Sequence, residues 1–205
     1  GNFAVLYGGA IGSRNGIIET DNVCLEHNVA GFSGGAINVH FFDPTTAWLD
    51  APAIKIIDIV KSRVCHNLVR AGPGGGIMLL FLYADDGKKF NRGTTFSLIN
   101  SLVQGNVAEY GGGIACWQQF TSYDVYRPGL RLVLQKSLVL DNRAVYGAGL
   151  HALGSEVVAT ESSFVKNVAS QDGGGMLSVK SVVSLTNGLF SENTAGNDGG
   201  ALHTV

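Results

Sequence analysis

The chain lacks most of what would build a helical or a disulfide-stapled domain. It has only 4 Pro, 3 Cys and 2 Met in 205 residues. No 11-residue stretch sustains a 3.6-residue apolar period, so almost no helix is expected. No run of 18 apolar residues exists, so no membrane-spanning helix is expected from this segment. Neither sign of charge dominates. The formal net charge is −2 with pI near 6.2 and there is no basic patch, which argues against nucleic acid as a partner. There is no signal-peptide pattern. None of the fourteen Asn residues stands in an Asn-x-Ser/Thr sequon, so no N-glycan is expected here.

What the chain has is glycine, 29 residues of it, placed at regular marks. Gly-Gly-Ala-Ile occurs at Gly8 to Ile11 and at Gly34 to Ile37. Variants end on Ile77, Ile114, Leu150, Met176 and Leu202. An Asn falls between successive marks: Asn28, Asn67, Asn106, Asn142, Asn167 and Asn193. Such recurrence predicts a solenoid of stacked coils.

The apolar marks are separated by 26, 40, 37, 36, 26 and 26 residues. From each Asn to the next mark the gap is 8 to 10. From each mark to the next Asn it is 17, 30, 29, 28, 17 and 17. The basic coil is therefore 26 residues, and three consecutive coils carry insertions near 42–53, 82–93 and 118–129. All three enter at one phase, so they should project from one corner.

Alignment on the Asn reveals further columns. Two residues after it stand Ala30, Val69, Ala108, Ala144, Ala169 and Ala195. Three before it stand Leu25, Val64, Val103, Val139, Phe164 and Phe190. Residues ten and eight before it are mostly apolar, with mostly polar residues between them, such as Ile57-Asp58-Ile59 and Phe96-Ser97-Leu98. That alternation marks a strand with one buried face. Strands are expected over Ala36 to Phe41, Lys55 to Val60 and Arg63 to His66. Parallel crossovers are right-handed, so the predicted fold is all-β: a right-handed parallel β-helix of about six to seven coils, filling 1–205 as a single segment. Six coils would span roughly 30 Å. The chain starts just before one mark and stops just after another, so a slice of a longer protein, or a unit that stacks on neighbours, is expected. The six Asn side chains should form a ladder of stacked amides, and the glycines should serve the corners.

Catalytic chemistry finds little support in the columns. After the glycines, one outward column should read Gly12, Asn38, Met78, Ala115, His151, Leu177, His203. The next should read Arg14, His40, Leu80, Trp117, Leu153, Val179, Val205. Neither holds Asp or Glu, and glycoside cleavage needs a carboxylate pair. No catalytic residue is assigned, although the insertion acids Asp43, Asp50, Asp85, Asp86 and Asp124 could gather. Metal and cofactor sites are not expected either. His27 and His66 can stack, but the column continues as Gly105 and Asp141, short of three or four convergent ligands. Gly8-Gly9-Ala10-Ile11-Gly12-Ser13 lacks the Asp of calcium-binding repeats. Gly147-Ala148-Gly149-Leu150-His151-Ala152 opens a strand, not the helix a dinucleotide needs. Cys24, Cys65 and Cys116 occupy three different columns. A Cys24–Cys65 bridge would be diagonal, and Cys116 reads as a buried free thiol. These three do not fix the redox compartment.

The insertions and their flanks hold ten of the chain's eighteen aromatics, including both tryptophans. Either they fold back over Leu80, Trp117 and Leu153, or they form a surface for a protein or a glycan. The candidate partner surface is Trp48, Phe81, Tyr83, Trp117, Phe120, Tyr123 and Tyr126.

The pairing of Gly-Gly-Ala-Ile with Phe164-Val165-Lys166-Asn167 and Phe190-Ser191-Glu192-Asn193 resembles the repeat of the chlamydial polymorphic outer-membrane proteins. The resemblance covers essentially the whole chain. Leu25, Val64, Val103 and Val139 depart from Phe, and Ala148 from Gly, without changing apolar or small character. The family implies a secreted or surface-exposed adhesin or structural passenger on a pectin-lyase-like β-helix. On that basis the chain is expected to be a non-catalytic structural or adhesive segment of a large extracellular protein, meeting protein end to end or laterally, or a glycan. A carbohydrate-binding or carbohydrate-active helix using the three-loop face is one alternative. An intracellular filament or scaffold component is another.

Overall fold

The structure, a computed structural model, describes residues 1–43, 55–83, 94–119 and 130–205. The described residues contain no helix and form parallel sheets. The fold is a right-handed parallel β-helix.

The first sheet has seven strands, each led in by glycines: Ile11–Arg14, Ile37–Asp43, Ile77–Tyr83, Ile114–Gln119, Leu150–Leu153, Met176–Val179 and Leu202–Thr204. The second has six: Ile18–Asp21, Lys55–Val60, Thr94–Ile99, Leu130–Gln135, Glu156–Thr160 and Val182–Thr186. The third also has six: Cys24–Glu26, Arg63–Cys65, Leu102–Gln104, Leu138–Leu140, Ser163–Val165 and Leu189–Ser191. Two-residue strands follow the Asn column, as at Val29–Ala30 and Leu68–Val69. They form a fourth line of contacts that the sequence pattern did not announce.

Register follows the repeat marks. Ile37 pairs with Ile11 and Ile77, Ile114 with Ile77 and Leu150, and Met176 with Leu150 and Leu202. Like therefore stacks on like. The inward positions Ile37, Ile57, Val64, Ile77, Phe96, Val103, Ile114, Leu132, Val139, Leu150, Val157 and Phe164 form one continuous core. Phe164 stacks on Phe190 at 4.7 Å with 10° between the rings, so even aromatic volume repeats from coil to coil.

The glycine with a strict conformational role is the first of each mark. Gly8, Gly34, Gly74, Gly111, Gly147, Gly173 and Gly199 all have positive φ, between 58° and 71°. A Cβ at Gly147 would also lie 2.8 Å from the Cβ of His151. Backbone conformation and crowding both exclude a side chain there. The turn so made carries the residue before each glycine over the outer face of the first sheet.

This changes one expectation. Asn38, Met78, Ala115, His151 and Leu177 were expected to point outward, but all are buried. Period 2 does place them on the outer side of the sheet, and there the turn covers them. The next column, His40, Leu80, Trp117, Leu153 and Val179, is half-buried.

The cysteines do not pair. Register sets Cys24 opposite Arg63 and Cys65 opposite Glu26, and all three thiols are free. Coil-to-coil ion pairs, Arg63–Glu26 at 3.7 Å and Arg131–Glu156 at 3.3 Å among them, lie at the surface and contribute little.

The Asn column binds the coils together. Each rung's backbone N–H and side-chain Nδ2 both donate to the Oδ1 of the next: Asn28 to Asn67 at 2.9 Å, Asn67 to Asn106 at 2.9 Å, and Asn106 to Asn142 at 3.0 Å. The run continues through Asn167 to Asn193. Asn2 adds a rung ahead of Asn28. A second Nδ2 hydrogen reaches the carbonyl oxygen of the preceding coil, as from Asn106 to Val64 and from Asn142 to Val103. Asn106 is 0% exposed. Replacing it with Leu strands two donors of Asn67, which is itself buried. The expected cost is about 1–3 kcal/mol, read as a lower urea midpoint at unchanged slope. An unaltered midpoint would show that the amides merely fill space.

Candidate functional site

The predicted partner surface divides three ways. Trp48, Phe120, Tyr123 and Tyr126 lie outside the described residues, as do Asp50, Asp85, Asp86 and Asp124. Tyr83 and Asp43 are described only as the last backbone positions of their strands. Phe81 and Trp117 can be placed.

Phe81 is not a surface residue. It is 3% exposed and stacks on Phe41 at 5.1 Å inside the coil. The alternation explains this: Ile77, Leu79 and Phe81 are successive inward positions of one strand. Gln118 stands opposite Phe81 in the next coil and is buried as well. Its Oε1 accepts the N–H of Leu130 at 3.1 Å, joining the strands on either side of residues 120–129. Phe41 and Phe81 line a small apolar cleft with Val39, Ile57, Leu79 and Phe96.

Trp117 is half-buried on the outer side, and its indole Nε1–H donates to Nδ1 of His151 at 2.7 Å. Tyr110 packs edge-on to Trp117 at 5.5 Å and stacks on Tyr146 at 5.4 Å with 13° between the planes. Tyr110 and Tyr146 each precede a positive-φ glycine, Gly111 and Gly147. They are therefore the residues that the turn lays over the sheet. The result is a shelf of three half-exposed rings over one buried imidazole, beside the strand that leads into residues 120–129. Tyr110, Tyr146 and His151 were absent from the sequence-derived set. Their constant distance from the glycine marks was the available signal.

The titratable groups here are held neutral. Burial pulls His151 down from the ordinary 6.5 to about 4. It therefore accepts at Nδ1 and carries no charge at neutral pH. His40 is lowered by burial, with the Arg14 charge adding to the effect. The thiols are no more reactive. Burial pushes Cys116 up to about 12 and also raises Cys65. Cys24 is raised chiefly by its hydrogen bond with Glu26. A nucleophilic cysteine needs the opposite shift. His27 and His66 stack at 5.3 Å, and a Cβ at Gly105 would come 2.7 Å from the His66 ring, so this ring pile has no third histidine to extend it.

The sign of the pH dependence follows from His151. Its folded value lies below the unfolded one, so the unfolded chain takes up a proton first as pH falls. The stabilisation is complete above about 6.5 and is lost as pH drops toward about 4, a change on the order of 3 kcal/mol. Leu177 fills the same column one coil later, so His151→Leu fits the slot. Urea unfolding at pH 7 and pH 4.5 should show a smaller loss in that variant than in the parent. Equal losses would place the acid sensitivity elsewhere.

Among the described residues no helix is long and apolar enough to cross a membrane. No curated protein and no solved structure matches the chain. Residues 187–205, which hold Phe190-Ser191-Glu192-Asn193 and the last glycine mark, match the family model described as the Chlamydia polymorphic membrane protein (Chlamydia_PMP) repeat.

Proposed function

We propose that the chain is a non-catalytic structural or adhesive segment of a large cell-surface β-helix protein, exposed outside the cell. Its ladders and glycine turns are scaffold, and recognition lies at the corner between the first and second sheets. One observation carries this reading. In three successive coils the first-sheet strand lengthens toward that corner, to 7, 7 and 6 residues against 3 or 4 in the other first-sheet strands. The scaffold thus extends where the extra sequence enters, and nowhere else among the described residues. The repeat match at residues 187–205 supports a surface location, because that repeat is named for a membrane protein.

The partner is a protein or a glycan, engaged along the side of the coil stack. The glycan reading rests on the Tyr110, Tyr146 and Trp117 shelf. Flat, half-exposed rings suit the apolar faces of sugars and cost little rotamer entropy on binding.

Replacement of residues 120–129 by a two-residue turn, combined with Trp117→Ala, separates scaffold from recognition. The circular dichroism spectrum should keep its β-sheet form, because the short coils close without extra sequence. Binding to a glycan array and to immobilised extracellular proteins should fall sharply. Loss of β-structure would make the insertion part of the fold, and undiminished binding would place recognition elsewhere. Incubated with polygalacturonate, with or without calcium, the chain is expected to release neither reducing ends nor unsaturated products. Turnover abolished by Asp43→Asn, Asp85→Asn or Asp124→Asn would overturn the non-catalytic reading.

A further inference from the structure

The column that supplies Tyr110 and Tyr146 changes chemistry in the last two coils. The residue before the positive-φ glycine is Tyr7, Ser33, Pro73, Tyr110 and Tyr146, and then Asp172 and Asp198. The column beneath it runs through His151 and Leu177 to His203. The turn geometry that lays a tyrosine over His151 therefore lays carboxylates over His203. One ligand atom from each of Asp172, Asp198 and His203 lies within 4.8 Å of the others.

The two histidines share a slot but not a partner. His151 Nδ1 accepts from the Trp117 indole of the preceding coil. Register passes from Trp117 to Leu153 to Val179, so the position equivalent to that indole beneath His203 is an isopropyl group. Nδ1 of His203 is consequently buried with no hydrogen-bond partner. The Asp172 carboxylate is held in place, because its Oδ1 accepts the backbone N–H of Asp198 at 3.1 Å. Next to it, the side chains of Asn197 and Gln171 are hydrogen-bonded to each other. Neither carboxylate has an ion pair among the described residues. Three electron-pair donors thus converge with no positively charged side chain paired to them among the described residues.

We propose that Asp172, Asp198 and His203 bind a first-row divalent metal ion of the Zn2+ class. An imidazole with two carboxylates suits such an ion, whereas Ca2+ takes six to eight oxygens. Ligands around Zn2+ sit about 3–3.5 Å apart, given bonds of about 2 Å. Asp198 is exposed, so rotation of its side chain closes the gap without moving the sheet. Water completes the shell. The ion would clip one coil to the next on the outer face, where the ladders do not reach.

The test is titration calorimetry of Zn2+ into the 205-residue chain, together with melting curves. Saturable 1:1 binding is expected, and at a hundredfold excess over Kd the melting temperature should rise by about 5–10 °C. Asp198→Asn and His203→Gln should each weaken binding about tenfold or more while leaving the metal-free melt nearly unchanged. Cys24→Ser/His27→Gln removes an exposed thiol and an exposed imidazole far from the cluster and should bind as the parent does. Loss of binding in that control, or full binding in Asp172→Asn/Asp198→Asn, would overturn the site. No heat of binding, with no rise in melting temperature at millimolar Zn2+, would overturn the site as well.

Discussion

The register of the whole solenoid depends on one buried amide per coil. Each Asn Oδ1 receives two donors from the rung before it, and from Asn67 onward each Nδ2 also donates to a carbonyl of the preceding coil. A strand slipped by one residue would turn its core side chains outward and leave those donors unmatched. Apolar contacts alone would not forbid a slip of two residues, which keeps the same face inward and lets Ile, Leu and Val exchange neighbours at small cost. The amide cannot, because an unmade hydrogen bond in a dry interior costs about 1–3 kcal/mol. The apolar columns stack in register because the polar column leaves no alternative.

A second ladder does the same work at another corner. Ser62, Ser101 and Ser137 each donate from the backbone N–H to the hydroxyl of the serine one coil on, ending at Ser162. Each of these four hydroxyls also bonds the carbonyl oxygen two residues before it. The corner between the second and third sheets is thereby pinned, and the corner after the third sheet is pinned by Asn. Among the described residues, the corner between the first and second sheets has one serine rung, from Ser155 to Ser181, in two of the short coils. Extra sequence enters at that same corner in the three long coils. Insertion there breaks no ladder, whereas at either other corner it would interrupt a run of buried hydrogen bonds.

Much of this was legible in the sequence, because a solenoid writes its geometry as constant offsets. The Asn column, the alternation around Asp58 and Ser97, and the strand at Lys55–Val60 came from counting alone. The serine ladder was equally legible, each serine standing five residues before its Asn, but serine is common enough at turns to pass unremarked. Phe81 was misplaced because composition was allowed to outweigh period. It lies two residues beyond Leu79 and so had to face inward. Burial of the outer column from Asn38 to Leu177 was not readable from alternation. Alternation assigns a side of the sheet, and whether that side meets water depends on a turn that folds over it.

That turn also locates chemistry in a fold made of repeats. Positions set by register, such as Ile114 or Asn106, have one acceptable residue class and carry no message about a ligand. The residue before each positive-φ glycine is different. Its backbone is fixed by the glycine after it, while its side chain lies over the sheet with no register partner of prescribed type. Tyr, Ser, Pro and Asp all occur there. A rigid main chain with a free choice of side chain is what a binding group needs, because preorganisation lowers the entropy lost when a ligand docks. The aromatic shelf at Tyr110 and Tyr146 and the carboxylates at Asp172 and Asp198 are two uses of one slot. The next coil's backbone is unaffected by which use is made, so the scaffold and the sites upon it can vary separately.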